Sequence, residues 1–183
     1  MPTRRSSFPD LAQNLFHWFS RGMGVETERK YLVTGEDWRL LGSPIAYAQG
    51  YLQRGSGRTV RIRLAGEEAF LTVKGPVTGI TRQEFEYPIP VEDAQEMLGL
   101  CEGPVIQKTR TKIRIGSHLW EVDEFSGENT GLIIAEVELS DPAEIVDPPS
   151  WIGAEVTGDP RYYNSNLTVH PYREWRDQSQ GSR

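Results

Sequence analysis

Acidic and basic residues recur at every second position through most of this chain. Glu26, Glu28 and Lys30 are spaced by two. So are Arg61 and Arg63; Glu84 and Glu86; Lys108, Arg110, Lys112 and Arg114; Glu121 and Asp123; and Glu136 and Glu138, while Lys74 stands two residues after Thr72. On a β-strand, residues two apart lie on one face, so each of these segments carries a charged face. The alternate positions are often apolar: Val60, Ile62 and Leu64 flank the arginines, Phe85 and Tyr87 bracket Glu86, and Ile113, Trp120, Val122, Val137 and Leu139 continue the pattern. A sheet with one dry and one solvated face explains any single strand. It explains the set less well, because the signs are segregated, with glutamate pairs on some strands and arginine or lysine pairs on others. Two like unit charges at about 4 Å repel by about 4 kcal/mol at an effective dielectric near ~20, against a net stability of roughly 5–15 kcal/mol. Bound ions relieve such repulsion: carboxylate clusters take divalent cations and basic clusters take phosphate.

The elements that must position these groups are mostly strands. Eight segments read as strands between residues 24 and 139, each bounded by Gly, Pro, Asn, Asp or a charge cluster. Residues 35–41 and 91–100 interrupt them as short helices, 141–158 reads as a Pro/Gly-rich loop anchored by Trp151, and 159–167 reads as a closing helical stretch with Pro160 at its first turn. The glycine-rich Arg54–Arg58 run reads as a hairpin turn. Eight antiparallel strands suffice to close a small barrel. With the charged faces inward, its interior is a tunnel with acids on one wall and bases on the other. The outer apolar face then needs cover from the short helices or from a second subunit, which makes a homodimer a candidate assembly. The expected organisation is an N-terminal extension over 1–23 with a short amphipathic helix capped by Asp10, a barrel over 24–175 and a tail over 176–183.

The 183 residues suit one full-sized domain, and 37% hydrophobic with 25% charged residues mark a chain that folds. A formal charge of −6 argues against nucleic-acid binding. The lone Cys101 excludes an intrachain disulfide and a Cys-rich metal cluster, and reads as a buried, inert thiol. No apolar run is long enough for a membrane-spanning helix, and no signal peptide is visible; the expected location is cytoplasmic. An outer-membrane barrel is set aside because Arg29 and Glu124 fall on the outward face. No P-loop or Rossmann glycine pattern is present. His17, His118 and His170 lack ligand spacing. Tyr47, Tyr51, Tyr162 and Tyr163 read as packing residues rather than as a base-binding set.

The segments ETERK (26–30), VRIR (60–63), LTVKG (71–75), RQEFEYPI (82–89), QKTRTKIR (107–114), WEVDEF (120–125) and AEVEL (135–139), taken in order, resemble the charged strands of the CYTH or triphosphate tunnel metalloenzyme family. EVTGDPRYYNSNL resembles the ending of its compact bacterial members. The likeness covers roughly residues 24–175. It implies a mainly β fold: an eight-stranded antiparallel closed barrel, peripheral short helices, and a triphosphate bound inside with Mg²⁺ or Mn²⁺. By this resemblance Glu26, Glu28 and Glu138, with Glu136 beside them, are the first metal ligands. Glu84, Glu86, Glu121 and Asp123 are further ligands or hold ligand waters and basic side chains. Lys30, Arg61, Arg63, Lys74, Lys108, Arg110 and Arg114 hold phosphate oxygens, and Lys112 turns toward the tunnel mouth. Glu28 or Glu86 orients the attacking water, and Lys108, beside the metal wall, competes for a metal position.

Three activities compete. The first is a metal-dependent triphosphatase acting on tripolyphosphate or a nucleoside or organic triphosphate. The second is an adenylate cyclase making cyclic AMP and pyrophosphate from ATP. The third is a polyphosphate-binding module without turnover. The compact size and the YYNSNL ending favour the hydrolase; a wall of acids has no use in a module that only binds a polyanion.

Overall fold

The computed structural model describes residues 24–176. The expected N-terminal extension, with its helix, and the expected tail beyond Arg176 lie outside the described residues. Each alternating segment forms a strand: β1 (Glu26–Val33), β2 (Pro44–Gly55), β3 (Arg58–Ala65), β4 (Glu68–Thr78), β5 (Thr81–Pro88), β6 (Ile106–Ile115), β7 (His118–Phe125) and β8 (Ile133–Glu138). All pairings are antiparallel, in the order β5-β4-β3-β2-β6-β7-β8-β1, and β5 returns to β1 to close the ring. That closure pairs Glu26 with Arg82 and Thr27 with Thr81, the two threonine hydroxyls 3.1 Å apart, and is flanked by the Glu84 N–H donating to the Gly24 carbonyl at 3.2 Å and the Glu28 N–H donating to the Ile80 carbonyl at 3.3 Å. The β2–β3 turn places Ser56 and Gly57 in succession at φ 50° and 73°, which a two-residue hairpin of the right-handed-twist type requires.

One strand departs from the sequence expectation. Within the segment read as a loop, Ile152–Glu155 forms β9, which pairs with the C-terminal half of β1. Its approach is close: a Cβ at Gly153 would stand 3.1 Å from the Leu32 carbonyl oxygen, so a residue without a side chain fits there. The carbonyl of Trp151 accepts the Thr34 N–H at 2.8 Å and fixes the start of the strand. Residues 35–41 form only a 3₁₀ turn (Asp37–Leu40), whereas the second predicted helix is present as α1 (Val91–Leu98). The closing helical stretch is split into a 3₁₀ turn (Pro160–Tyr162) and α2 (Asn164–Leu167).

Among the described residues, apolar side chains form three clusters on the barrel, two outside and one inside. Tyr31, Trp120, Val122, Val137 and Leu139, on outward positions, pack with Trp38 and Trp151 from the connecting segments. The helix α1 buries Ala94 against Ile62 and Ala69. The remaining cluster lies on the inward side. At neighbouring ends of β1, β8, β7 and β6 the face that carries charge turns apolar, at Leu32, Ile134, Phe125 and Ile106. There it meets Tyr162, Leu167 and Trp175 of the C-terminal segment. On β4 and β5 the outer face is less covered: Val73, Phe85 and Tyr87 are 37%, 44% and 53% exposed.

Candidate active site

The strand order sorts the charges. Around the ring, β7, β8, β1 and β5 are contiguous and carry Glu121, Asp123, Glu136, Glu138, Glu26, Glu28, Glu84 and Glu86; β4, β3, β2 and β6 are contiguous and carry Lys74, Arg61, Arg63, Lys108 and Arg110. Two cations break the rule by standing on the acidic half: Lys30 on β1 and Arg82 on β5. Between the halves lies a cavity of about 730 Å³, lined by Glu26, Glu28, Glu84, Glu121, Glu136 and Glu138 and by Lys30, Arg61, Arg63, Lys74, Arg82 and Arg110, among others.

Register brings like charges face to face on the acidic wall. Glu28 lies opposite Glu138 and Glu121 opposite Glu136, an arrangement that repels unless a cation intervenes. Cations do intervene. Arg110 donates to Glu136 at 2.7 Å and also to Glu121. Lys30 pairs with Glu28 at 3.0 Å and with Glu136. Arg82 donates to Glu26 at 2.6 Å and to Glu28 at 3.2 Å. Lys74 reaches Glu26 at 3.1 Å and Glu84 at 2.7 Å. Glu86, on β5, reaches across to the basic half and accepts from Arg63 at 2.6 Å, Thr72 at 2.9 Å and Arg61 at 3.2 Å. Asp123, fully buried, accepts from Lys108 at 2.5 Å and from Arg110 at 2.6 Å.

These pairs shift the titrating groups. Burial works to raise Glu84 and Glu121, but Lys74 and Arg61 beside the first, and Arg110 and Lys112 beside the second, hold each at about 2. Burial opposes Glu136 likewise, and Lys30 and Arg110 hold it well below the carboxylate range. Lys30 is pulled down by burial yet ends raised, because Glu136 and Glu28 outweigh it. For Lys108 burial wins over Asp123 and lowers it to about 8. Arg63 and Lys74 are also lowered, by burial and by Arg61.

Most of the residues selected by spacing face this interior. Lys108 and Asp123 are buried behind the cavity wall, and Glu86 is tied to the guanidinium pair. Arg114 is a correction. It does not line the cavity; it is exposed near the end of β6, because its guanidinium turns to the β6–β7 turn, 3.5 Å from the Ser117 carbonyl, while Leu119 opposite it faces the cavity. Lys112 is 39% exposed in its side chain and pairs with Glu121 at 3.2 Å. Spacing overlooked Arg82, although it precedes Glu84 by two and so shares its face. It overlooked Thr72 as well, a buried hydroxyl linking Arg61 and Glu86. Of the tyrosines, Tyr47, Tyr51 and Tyr162 are buried, and Tyr51 and Tyr163 line the cavity. Cys101 is a free thiol, partly buried rather than fully.

Among the described residues, no three carboxylate, histidine or cysteine groups are gathered into one coordination set; lysine and arginine stand between the carboxylates. The donors available are nevertheless all oxygens on paired strands, which suits a hard divalent cation such as Mg²⁺ or Mn²⁺ better than a soft one.

An interior with opposed acidic and basic walls, each ion-paired to the other, defines a closed β-barrel with a charge-lined cavity. The chain belongs to the CYTH domain family, whose model matches residues 24–164. It is 49% identical over 156 residues to an inorganic triphosphatase of Acetivibrio thermocellus, covering 85% of this chain and 100% of that one. It is 38% identical over 150 residues to an inorganic triphosphatase of Nitrosomonas europaea, covering 79% and 97%. The crystal structure of the inorganic triphosphatase NE1496 superposes with a TM-score of 0.56 at 34% identity, over 79% of this chain and 94% of that one. No helix among the described residues is long and apolar enough to cross a membrane.

Proposed function

We propose that this chain hydrolyses tripolyphosphate, or a related triphosphate, to orthophosphate and the shortened polyanion, with a divalent cation of the Mg²⁺ or Mn²⁺ kind. The observation that carries this reading is the cavity of about 730 Å³ with basic and acidic residues on opposite strands of one closed ring. The relatives named inorganic triphosphatase support it. Arg61, Arg63 and Arg110 offer paired N–H donors to phosphate oxygens, and Lys30 and Lys74 act as point charges. Glu84 and Glu86 position Lys74, Arg61 and Arg63, while Asp123 positions Lys108 and Arg110. Glu26, Glu28, Glu136 and Glu138 would hold the cation, which when bound neutralises charge on the phosphates and on the leaving group. Glu86 accepts from three donors, the nearest at 2.6 Å, whereas Glu28 is held more loosely, by Lys30 at 3.0 Å and Arg82 at 3.2 Å, so Glu28 is the better group to orient the attacking water. In-line attack forms the new P–O bond at the terminal phosphorus and breaks the bridging one; the water proton passes to a carboxylate and on to solvent.

The test offers the purified chain tripolyphosphate and, separately, ATP with Mg²⁺ or Mn²⁺. Orthophosphate from tripolyphosphate supports the proposal. Cyclic AMP with pyrophosphate would instead make it a cyclase, and tight binding without product a binding module. Glu28→Ala is expected to abolish turnover; wild-type rates in that variant remove Glu28 from the machinery.

A further inference from the structure

Arg82 occupies an unusual place. It stands on the acidic half of the ring, at the narrow β1–β5 closure, with Cα directly across from Glu26. Its Nε donates to Glu26 at 2.6 Å and its Nη2 to Glu28 at 3.2 Å. One guanidinium therefore spans two carboxylates proposed above to hold the cation. Its side chain is 24% exposed and lines the cavity, so an incoming ligand can reach it. Lys30, the other cation on this half, bridges Glu28 and Glu136 farther along β1.

We infer that Arg82 is a resident counterion for Glu26 and Glu28, holding them together while no divalent cation is bound and exchanging them for phosphate oxygens when the polyanion arrives. The inference rests on the reading of Glu26 and Glu28 as cation ligands. Its physical basis is competition: a guanidinium and a divalent cation cannot both take the same carboxylate oxygens. Phosphate gives Arg82 alternative oxygens of like charge and geometry, so polyanion binding frees the two glutamates. By reciprocity, each ligand then tightens the other. Arg82 in this view is a positioning residue for the cation site.

The experiment measures Mn²⁺ binding to the full-length, substrate-free chain by calorimetry, with Mn²⁺ alone as the probe. Arg82→Gln is expected to bind Mn²⁺ several-fold more tightly than wild type. The same variant is expected to be less heat-stable than wild type without metal, and to recover most of that loss when Mn²⁺ is added. Arg58→Gln removes one positive charge from the opposite, β3 side of the same cavity without touching Glu26 or Glu28; it controls for net charge and is expected to keep wild-type Mn²⁺ affinity. Equal or weaker Mn²⁺ binding by Arg82→Gln overturns the proposal, as does an equal gain in Arg58→Gln. Should Arg82→Gln fail to fold, Arg82→Lys, which keeps one charge but cannot span both carboxylates, is expected to show a smaller gain, and no gain there overturns the idea. Glu28→Gln separates the two readings. If it leaves wild-type Mn²⁺ binding unchanged, the ligand assignment itself falls; if it abolishes binding while Arg82→Gln changes nothing, only the counterion role falls.

Discussion

Glu84 and Glu121 show how the charged interior is held together before any ligand is present. Each has its carboxylate beside cations, Lys74 and Arg61 for Glu84 and Arg110 and Lys112 for Glu121, that keep it ionised down to about 2. A carboxylate lowered on folding stabilises the native state above its unfolded value of 4.5, and that contribution is lost as pH falls through the folded value. Metal-free protein is therefore expected to keep a steady urea midpoint from neutral pH to about 5 and to lose stability progressively between about 4.5 and 2. Glu121→Gln should begin from a lower midpoint at neutral pH and show a shallower decline. A wild-type midpoint that stays flat from pH 5 to 2.5, by contrast, would mean that these carboxylates are not held down by their partners. Lys108 has the opposite sign. Burial lowers it to about 8, so its cost is present below that value and fades as pH rises toward 10.5, the value in the unfolded chain.

Much at the level of the elements was written in period-two spacing, because a strand puts every second residue on one side and a closed ring gives that side nowhere else to go. Glu26, Glu28 and Lys30 or Arg61 and Arg63 could be placed inside on this ground. Where the spacing was less informative, tertiary contacts decide. Arg82 obeys the same period but was passed over, since a lone arginine before two glutamates does not stand out as a pair. Arg114 obeys the period and yet is exposed, because spacing does not say which way a long side chain turns, and this one turns to the Ser117 carbonyl. The β9 strand was hidden for a related reason: a four-residue strand among prolines is defined by its partner β1 and not by its own composition. Trp151 at its head is 5% exposed and packs edge-on to Trp120 with ring centroids 5.8 Å apart. Trp151→Ala should cost about 3–5 kcal/mol, as removal of a large buried aromatic does, and lower the melting temperature by on the order of 10 °C for a domain of this size. Melting followed by circular dichroism checks this; a shift of a degree or less would mean that the 140–156 segment adds little to the barrel.

Seen as one body, the protein faces an electrostatic conflict: it carries a formal charge of −6 and yet, on the reading proposed above, must draw in a polyanion. The basic strands inside do not project a free field, because their cations are already matched with carboxylates. Among the described residues, Arg58 is the one lysine or arginine lining the cavity for which no ion pair within 4.0 Å is found. It is exposed on the β2–β3 hairpin, where Arg54 ties the turn to the C-terminal segment through Thr168 and the Ser165 carbonyl. A fixed hairpin presenting an uncompensated cation at the cavity's rim is suited to steer an approaching anion, an effect that shapes the rate of encounter and is screened by salt. Reversing that charge with Arg58→Glu is expected to lower kcat/KM for tripolyphosphate by about tenfold at low ionic strength, with most of the loss in KM. The difference from wild type should shrink as salt rises toward 0.5 M or so, where the screening length is only a few ångströms. Arg58→Lys, which keeps the charge, should stay near wild type throughout. Steady-state rates over a salt series decide it: a loss in Arg58→Glu that is independent of salt, or one that falls on kcat, would point to damage inside the barrel and against steering at its rim.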